Sequence, residues 1–410
     1  MRSYRDLFRT PEFTPFFLAA SAQTVAQTMG GLALGTLVYR QTGSPLLSAV
    51  SMFGSSLVQV LGATFLLSAA DRLPPRAALT ALPLLFAAAT AALALPGLPV
   101  WSLFALVLAK GLVESVGGGV RWGLLNEILG KDGYLLGRSV FNMMSGLMQI
   151  AGYATGGALL ALLSPRLSLL AAAALYVLAA VVVRLGLTRR PPRTTGRPSV
   201  TATWRANALL WSSAPRRQVY LALWIPNGLI VGCESLYVSY APGSAGTLFA
   251  CAALGMLAGD VLVGRLVPPR LRPRLGFPLL LLLALPYVPF LLHPPLPLAA
   301  VAVAVASAGF GASLVQQERL VALTPDELTG HALGLHSAGM LTMQGVAAAL
   351  AGSVAQLTSP ARAMTVLAVV SAGVTLALMA AEGRQRRRTS PPAGSGRPFS
   401  RPSPPGPRPR

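Results

Sequence analysis

Acidic residues are scarce in this 410-residue chain, with 12 Asp and Glu against 33 Lys and Arg. Charged residues of both signs make up only 11% of it, less than half the share usual for a soluble domain. A water-soluble protein of this length needs far more polar surface, so a soluble fold is excluded. Cysteine is nearly absent. Cys233 and Cys251 both lie in apolar segments, match no metal spacing and form no disulfide framework, so they read as small buried residues. The three histidines, His293, His331 and His336, are too scattered for a zinc site. What the chain has is apolar residues, at 53%, which excludes disorder over most of its length. Its 41 Gly and 34 Pro would break soluble helices, whereas membrane-spanning helices tolerate both. The composition points to an all-α polytopic membrane protein.

A bilayer-crossing helix needs about 20 mostly apolar residues. Twelve such runs are expected, at roughly 14–38, 45–69, 77–95, 100–125, 139–163, 168–187, 218–240, 245–266, 276–292, 297–317, 332–357 and 363–381. Residues 1–13 form an N-terminal segment carrying Arg2, Arg5 and Arg9. The apolar run that follows lacks a small-residue cleavage site, so it reads as a retained span. The segment 188–217 is long and basic, and it divides the spans into six at 14–187 and six at 218–381. The tail 382–410, basic and rich in Pro, Ser and Gly, is expected to be disordered.

Charge placement tests this count. With both termini in the cytoplasm, alternating spans put 29 of the 33 basic residues on the inner side. Three, Arg40, Arg166 and Arg362, fall outside, and Lys110 lies within a span. That asymmetry follows the positive-inside rule. Insertion and anionic inner-leaflet lipid account for the positive charge, and a nucleic-acid partner is not expected. The third, sixth (over 168–183), ninth and twelfth runs carry no Asn, Gln or charge, so they read as lipid-facing. The remaining eight are left to line a shared interior. A shift of 193 residues superposes Arg72 on Arg265, Pro75 on Pro268, Gly137 on Gly330, Gly146 on Gly339 and Gly152 on Gly345, as two parallel six-helix repeats would.

These features resemble the major facilitator superfamily over about 14–381. The loop after the second span adds to the likeness. The family's G-x-x-x-D-R-x-G-R-R/K signature is represented by Leu67 to Arg76, in which Asp71, Arg72 and Arg76 match. Leu67, Pro74 and Pro75 depart from it. A second counterpart runs from Asp260 to Arg265. The resemblance implies twelve transmembrane helices in two halves, and a cytoplasmic gate in which the Asp and Arg residues latch helices in the outward-open state. Rocking would break such charge-assisted pairs. The alternative is that they merely end a span and anchor it among headgroups.

The span at 100–125 carries Lys110 and Glu114. Lys110 lies about ten residues, or roughly 15 Å, below the outer end, near the midplane. The pair is spaced i,i+4 on one helix face. Ionisable groups at that depth are functional candidates, against the alternative of a static pair between helices. Antiporters of the family carry an Arg followed by Gly in this span, a position that Lys110 resembles. Glu234, in the seventh span, is a cation-recognition group or a proton carrier, or else it pairs with a positive side chain from another helix. Gln23, Gln27, Asn142, Gln149, Asn227 and Gln344 are candidates to line a cavity, or to bond helix to helix. Gly146, Gly152, Gly156 and Gly157 are spaced to let helices approach closely. The family's G-P-x-x-G-G pattern has Tyr153 in place of its Pro here.

No nucleotide-binding run, metal cluster or nucleophile–base pair is present, so neither an enzyme nor a cofactor is expected. The reading is a monomeric secondary transporter in the plasma membrane, working by alternating access with proton-coupled export of an amphipathic small molecule. An uncoupled facilitator or importer of a small metabolite is the alternative.

Overall fold

The structure is a computed structural model that describes residues 4–70, 73–191, 200–268, 270–325 and 328–389. Every element among them is helical. The chain opens with α1 (Tyr4–Arg9), α2 (Phe13–Thr42), α3 (Pro45–Ala70), α4 (Pro75–Leu93), α5 (Val100–Leu162) and α6 (Pro165–Gly186). After α7 (Val200–Ser212) come α8 (Ala214–Glu234), a short α9 (Tyr237–Tyr240) and α10 (Ala245–Val261), which ends in a π turn at Leu262–Leu266. α11 (Arg272–Ala284) runs on as a 3-10 segment to Leu292. α12 (Leu296–Ala308) and α13 (Ala312–Ala322) are joined through Gly309–Gly311, and α14 (Thr329–Leu357) and α15 (Pro360–Thr389) close the fold.

Proline sets many of the starts. Pro75, Pro165 and Pro360 are first residues of their helices, where the missing N–H costs nothing and the fixed φ suits the first turn. Ser164 adds a side-chain cap to α6, accepting from the Leu167 N–H at 3.3 Å.

Eight helical stretches among the described residues are long and apolar enough to cross a bilayer, from Pro75–Leu93 through to Pro360–Arg384. The other four expected runs fall on α2, α3 and the two rods of α5, which carry Gln23, Gln27, Gln59, Lys110 and Glu114. The fourth and fifth runs are not parted by a loop. Helix continues on both sides of Gly130, whose φ of 64° and ψ of 179° lie outside the helical region and kink α5 into rods 100–129 and 131–162. Glycine holds that left-handed φ without a Cβ clash.

Helix also extends into the basic segment and into the start of the tail. The segment 188–217 contains α7, which docks because Trp211 stacks on Trp224 of α8 (5.6 Å, 9° between planes) while Tyr220 stacks on Trp224 (5.1 Å). Residues 192–199 of that segment lie outside the described part. The tail is helical as far as Thr389, and Arg319 donates to Glu382 at 2.6 Å; 390–410 lie outside the described residues.

Apolar burial falls into separate clusters. Three draw their buried residues only from positions up to Leu187. Two draw on positions from Leu210 onward, with Leu32 alone joining from α2. α1–α6 and α8–α15 are therefore two blocks, each with its own core, that meet chiefly through α3 against α14 and α5 against α10. The loops at Gly43, Ser164, Ala241–Ser244 and Thr358 mark one end of the bundle; the other end carries most of the arginines. Contacts between the blocks are tight at the arginine-poor end. A Cβ on Gly157 would stand 3.0 Å from the Gly246 Cα, Tyr153 stacks on Phe249 at 4.6 Å, and Ser44 Oγ donates to Gln356 Oε1 at 2.8 Å.

Candidate functional site

Three helices bring polar side chains to one height. Gln27, Gln59 and Glu114 each lie 14 residues along their helices, about 21 Å from the start. Gln27 Nε2 donates to Glu114 Oε1 at 2.5 Å, and Gln59 Nε2 donates to Glu114 Oε2 at 2.7 Å. Each carboxylate oxygen therefore takes one amide from a different helix, and hydrogen bonds to an ionised acceptor are the strong ones. Gln27 is exposed and Glu114 half-buried, so the clamp is open on one side. Two turns toward the arginine-rich end, Arg121 Nη2 donates to Gln23 Oε1 at 3.2 Å, tying α5 to α2 a second time.

Lys110 and Glu114 form no ion pair among the described residues, although they share a helix. Lys110 turns instead into the α4–α6 side of its block. Its Nζ lies 3.1 Å from the Tyr176 hydroxyl, 4.9 Å from the centre of that ring and 5.7 Å from that of Phe86. Both rings are buried in an apolar cluster. The ammonium is thus held by one hydrogen bond and two aromatic faces, an arrangement that stabilises a desolvated cation.

The second block holds a contrasting carboxylate. Glu234, the last residue of α8, is buried, and its Oε1 has no hydrogen-bond partner among the described residues. Around it stand the hydroxyls of Tyr153, Tyr237 and Tyr287 and the Cys233 thiol, all within its electrostatic reach. The Tyr237 and Tyr287 hydroxyls bond to each other. A positive partner from another helix is not found there among the described residues.

The other candidates divide. Asn227 is fully buried and donates to Leu223 O at 2.7 Å and to Ser313 Oγ of α13 at 3.2 Å, which ties α8 to α13. Asn142 is exposed, and Gln149 and Gln344 are half-buried, with Gln149 Nε2 3.5 Å from Ser145 Oγ. Asp71 and Arg72 lie outside the described residues. Arg76 reaches the Arg184 carbonyl at the end of α6. Asp260 is exposed and forms no ion pair with Arg265 among the described residues; Arg265 Nη2 lies 3.8 Å from Met143 Sδ of the other block. Among the described residues, the ion pairs at this end stay within a block. Arg190 holds both Glu12 (2.7 Å) and Glu127 (3.5 Å), and Arg272 holds Glu318 (2.8 Å). Gly146, Gly152, Gly156 and Gly157 of the 131–162 rod face neighbouring helices: Gly152 and Gly156 abut α2, while Gly146 and Gly157 abut α10.

Sequence reasoning missed Gln59, Arg121 and the Tyr176–Phe86 niche. Tyr176 and Phe86 belong to the runs marked as free of amides and charges, which says nothing about a phenol or a ring face. No group of three or more His, Cys, Asp or Glu side chains among the described residues is placed to hold a metal.

The family model of the Major Facilitator Superfamily matches residues 16–322. The chain belongs to this superfamily. It is therefore an integral, multi-pass membrane protein of a family of small-molecule transporters whose members are in general not enzymes. No curated protein matches the chain. Solved transporter structures share its fold. A nucleoside transporter, NupG, matches at a TM-score of 0.70 and 13% identity, covering 90% of this chain and 98% of its own. An inward-facing, unoccupied bacterial homolog to the human lysosomal transporter Spinster matches at 0.69 and 14% (92% and 98%). A POT family transporter in complex with a thioalcohol-conjugated peptide matches at 0.69 and 13% (90% and 95%). At these identities the likeness concerns the fold alone.

Proposed function

We propose that the chain is a secondary active transporter of the plasma membrane, working as a monomer by alternating access and exporting an amphipathic small molecule in exchange for protons. The observation that carries the reading is Glu114, clamped by Gln27 and Gln59 at mid-height, with the clamp open on one side. An ionised carboxylate accepts both amide donors, whereas a protonated one becomes partly a donor and loses a charge-assisted bond. Protonation of Glu114 would release α2 or α3 from α5, which links proton occupancy to the packing of the first block. Glu234 is the second coupling carboxylate of the proposal. Its unpartnered oxygen leaves it free to exchange a proton without first breaking a bond. Lys110 stabilises the first block from its aromatic niche and is not itself the coupling group.

The proposed topology has twelve spans in two six-helix halves, with both termini and the arginine-rich end in the cytoplasm. The tight Gly157–Gly246 and Ser44–Gln356 contacts then close the outer face, and the state is inward-facing. Asp71 and Arg72, with Arg76, Asp260 and Arg265, are assigned to a cytoplasmic gate that forms in the opposite state. The few charges within the spans favour an amphipathic substrate.

Flux into proteoliposomes, driven by an imposed pH gradient and screened over chemically diverse compounds, tests the reading. The unaltered chain is expected to lose concentrative flux with a protonophore. Glu114→Gln, which keeps the volume but not the charge, is expected to leave only gradient-independent flux. Protonophore-insensitive transport by the unaltered chain would replace this reading with an uncoupled facilitator or importer.

A further inference from the structure

At the arginine-rich end, the outer faces of α4 and α6 enclose a groove of about 530 Å³ that the transport reading does not use. Its rim carries Arg76, Arg184, Arg189 and Arg190. Arg190 is committed to Glu12 and Glu127. Arg184 and Arg189 are exposed and have no carboxylate partner among the described residues, and the Arg76 Nε is buried without a hydrogen-bond partner. No acidic side chain among the described residues lines the groove. Its wall is of the opposite character. From Arg76, one stripe of α4 runs through Ala77, Thr80 and Ala81 to Leu84, which is 44% exposed. That stripe covers about 12 Å along the helix axis.

A basic rim whose Arg76, Arg184 and Arg189 have no carboxylate partner among the described residues matches a phosphodiester, since guanidinium donors fit phosphate oxygens in a bidentate way. An apolar stripe leading away from the rim matches a hydrocarbon chain. The two belong to one molecule only if the ligand is amphipathic. We infer that this groove binds an anionic phospholipid, with the headgroup phosphate on Arg76, Arg184 and Arg189 and an acyl chain along α4 toward Leu84. Basic pockets between helices at a membrane surface are the expected form of such a site. Free phosphate shares the headgroup chemistry but makes no use of the stripe.

The test uses the full-length chain in a neutral detergent, titrated with phosphatidylglycerol, phosphatidylcholine or inorganic phosphate. Bound lipid is read by native mass spectrometry, and the melting temperature is read in parallel. Phosphatidylglycerol is expected to be retained and to raise the melting temperature. Phosphatidylcholine and inorganic phosphate are expected to do neither. Arg184→Gln with Arg189→Gln removes two exposed side chains and no ion pair, and should weaken phosphatidylglycerol binding roughly tenfold or more. Arg40→Gln with Arg362→Gln removes the same charge at the opposite end and should leave binding unchanged. Leu84→Ser should weaken lipid binding with the rim intact. Retention of phosphatidylglycerol by the Arg184/Arg189 variant at unaltered affinity would overturn the site. Stabilisation by inorganic phosphate equal to that by lipid would overturn the lipid assignment.

Discussion

Glu114 and Lys110 sit one turn apart on α5 and have opposite fates, which shows how little helical spacing alone decides. Both lie near mid-height, and their charges attract. Glu114 nevertheless faces α2 and α3, where two amides wait, while Lys110 faces Phe86 and Tyr176. The partners of Glu114 stand 87 and 55 residues away in sequence, so the i,i+4 pattern showed the only neighbour visible along the chain. Depth was readable, because it follows from counting along a helix. Partnership was not, because it depends on how helices rotate against one another. Tyr176→Phe keeps the ring and removes the hydroxyl bonded to Lys110, so it is expected to cost about 1 kcal/mol of stability. A lowered melting temperature with coupled flux retained would agree with a structural role for Lys110. Loss of proton dependence in Tyr176→Phe would return Lys110 to the coupling machinery.

At the scale of elements, the spacing of Gly146, Gly152, Gly156 and Gly157 pointed to close contacts, but nothing along the chain revealed Gly130. The polar stretch between the fourth and fifth runs reads as a loop, yet the chain stays helical on both sides of one left-handed residue. Hydropathy reports solvent preference, and a helix end projecting beyond the bilayer is polar without being irregular. α7 escaped notice for the same reason, since its anchoring ring, Trp211, stands in a basic context. The close approach of α5 to α10 gives a test at this scale. A Cβ on Gly246 would meet backbone atoms of Gly157 that cannot swing aside. Gly246→Ala is therefore expected to loosen the arginine-poor end. With Cys233 and Cys251 replaced by Ser, a cysteine at Gln149 should be labelled several times faster by an impermeant maleimide from that side. Unchanged labelling would show that this contact does not hold the end shut.

For the whole molecule, the long basic segment and the 193-residue shift point to two halves, and apolar burial falls into clusters drawn from positions up to Leu187 or, with Leu32, from Leu210 onward. Which surfaces join the blocks was not legible, since α3, α5, α10 and α14 carry no marker that distinguishes a neighbour in the other block from one in their own. Ser44 and Gln356 lie 312 residues apart and touch across that division. If the blocks rock during transport, cysteines at these two positions, joined by a short thiol-reactive linker in a background without Cys233 and Cys251, should arrest flux. Cleaving the linker should restore it. Flux that continues while the link is intact would contradict a cycle in which this end must part.

Arg190 bears on where the first block ends as a physical object. It grips Glu12, ahead of α2, and Glu127, far along α5, and the Thr188 N–H also bonds to Glu12. A polypeptide truncated at Leu187 would keep all six long helical segments yet lose the clasp that fastens its first turn to its middle. Any attempt to produce the two blocks as separate, reassociating fragments should cut beyond Pro191.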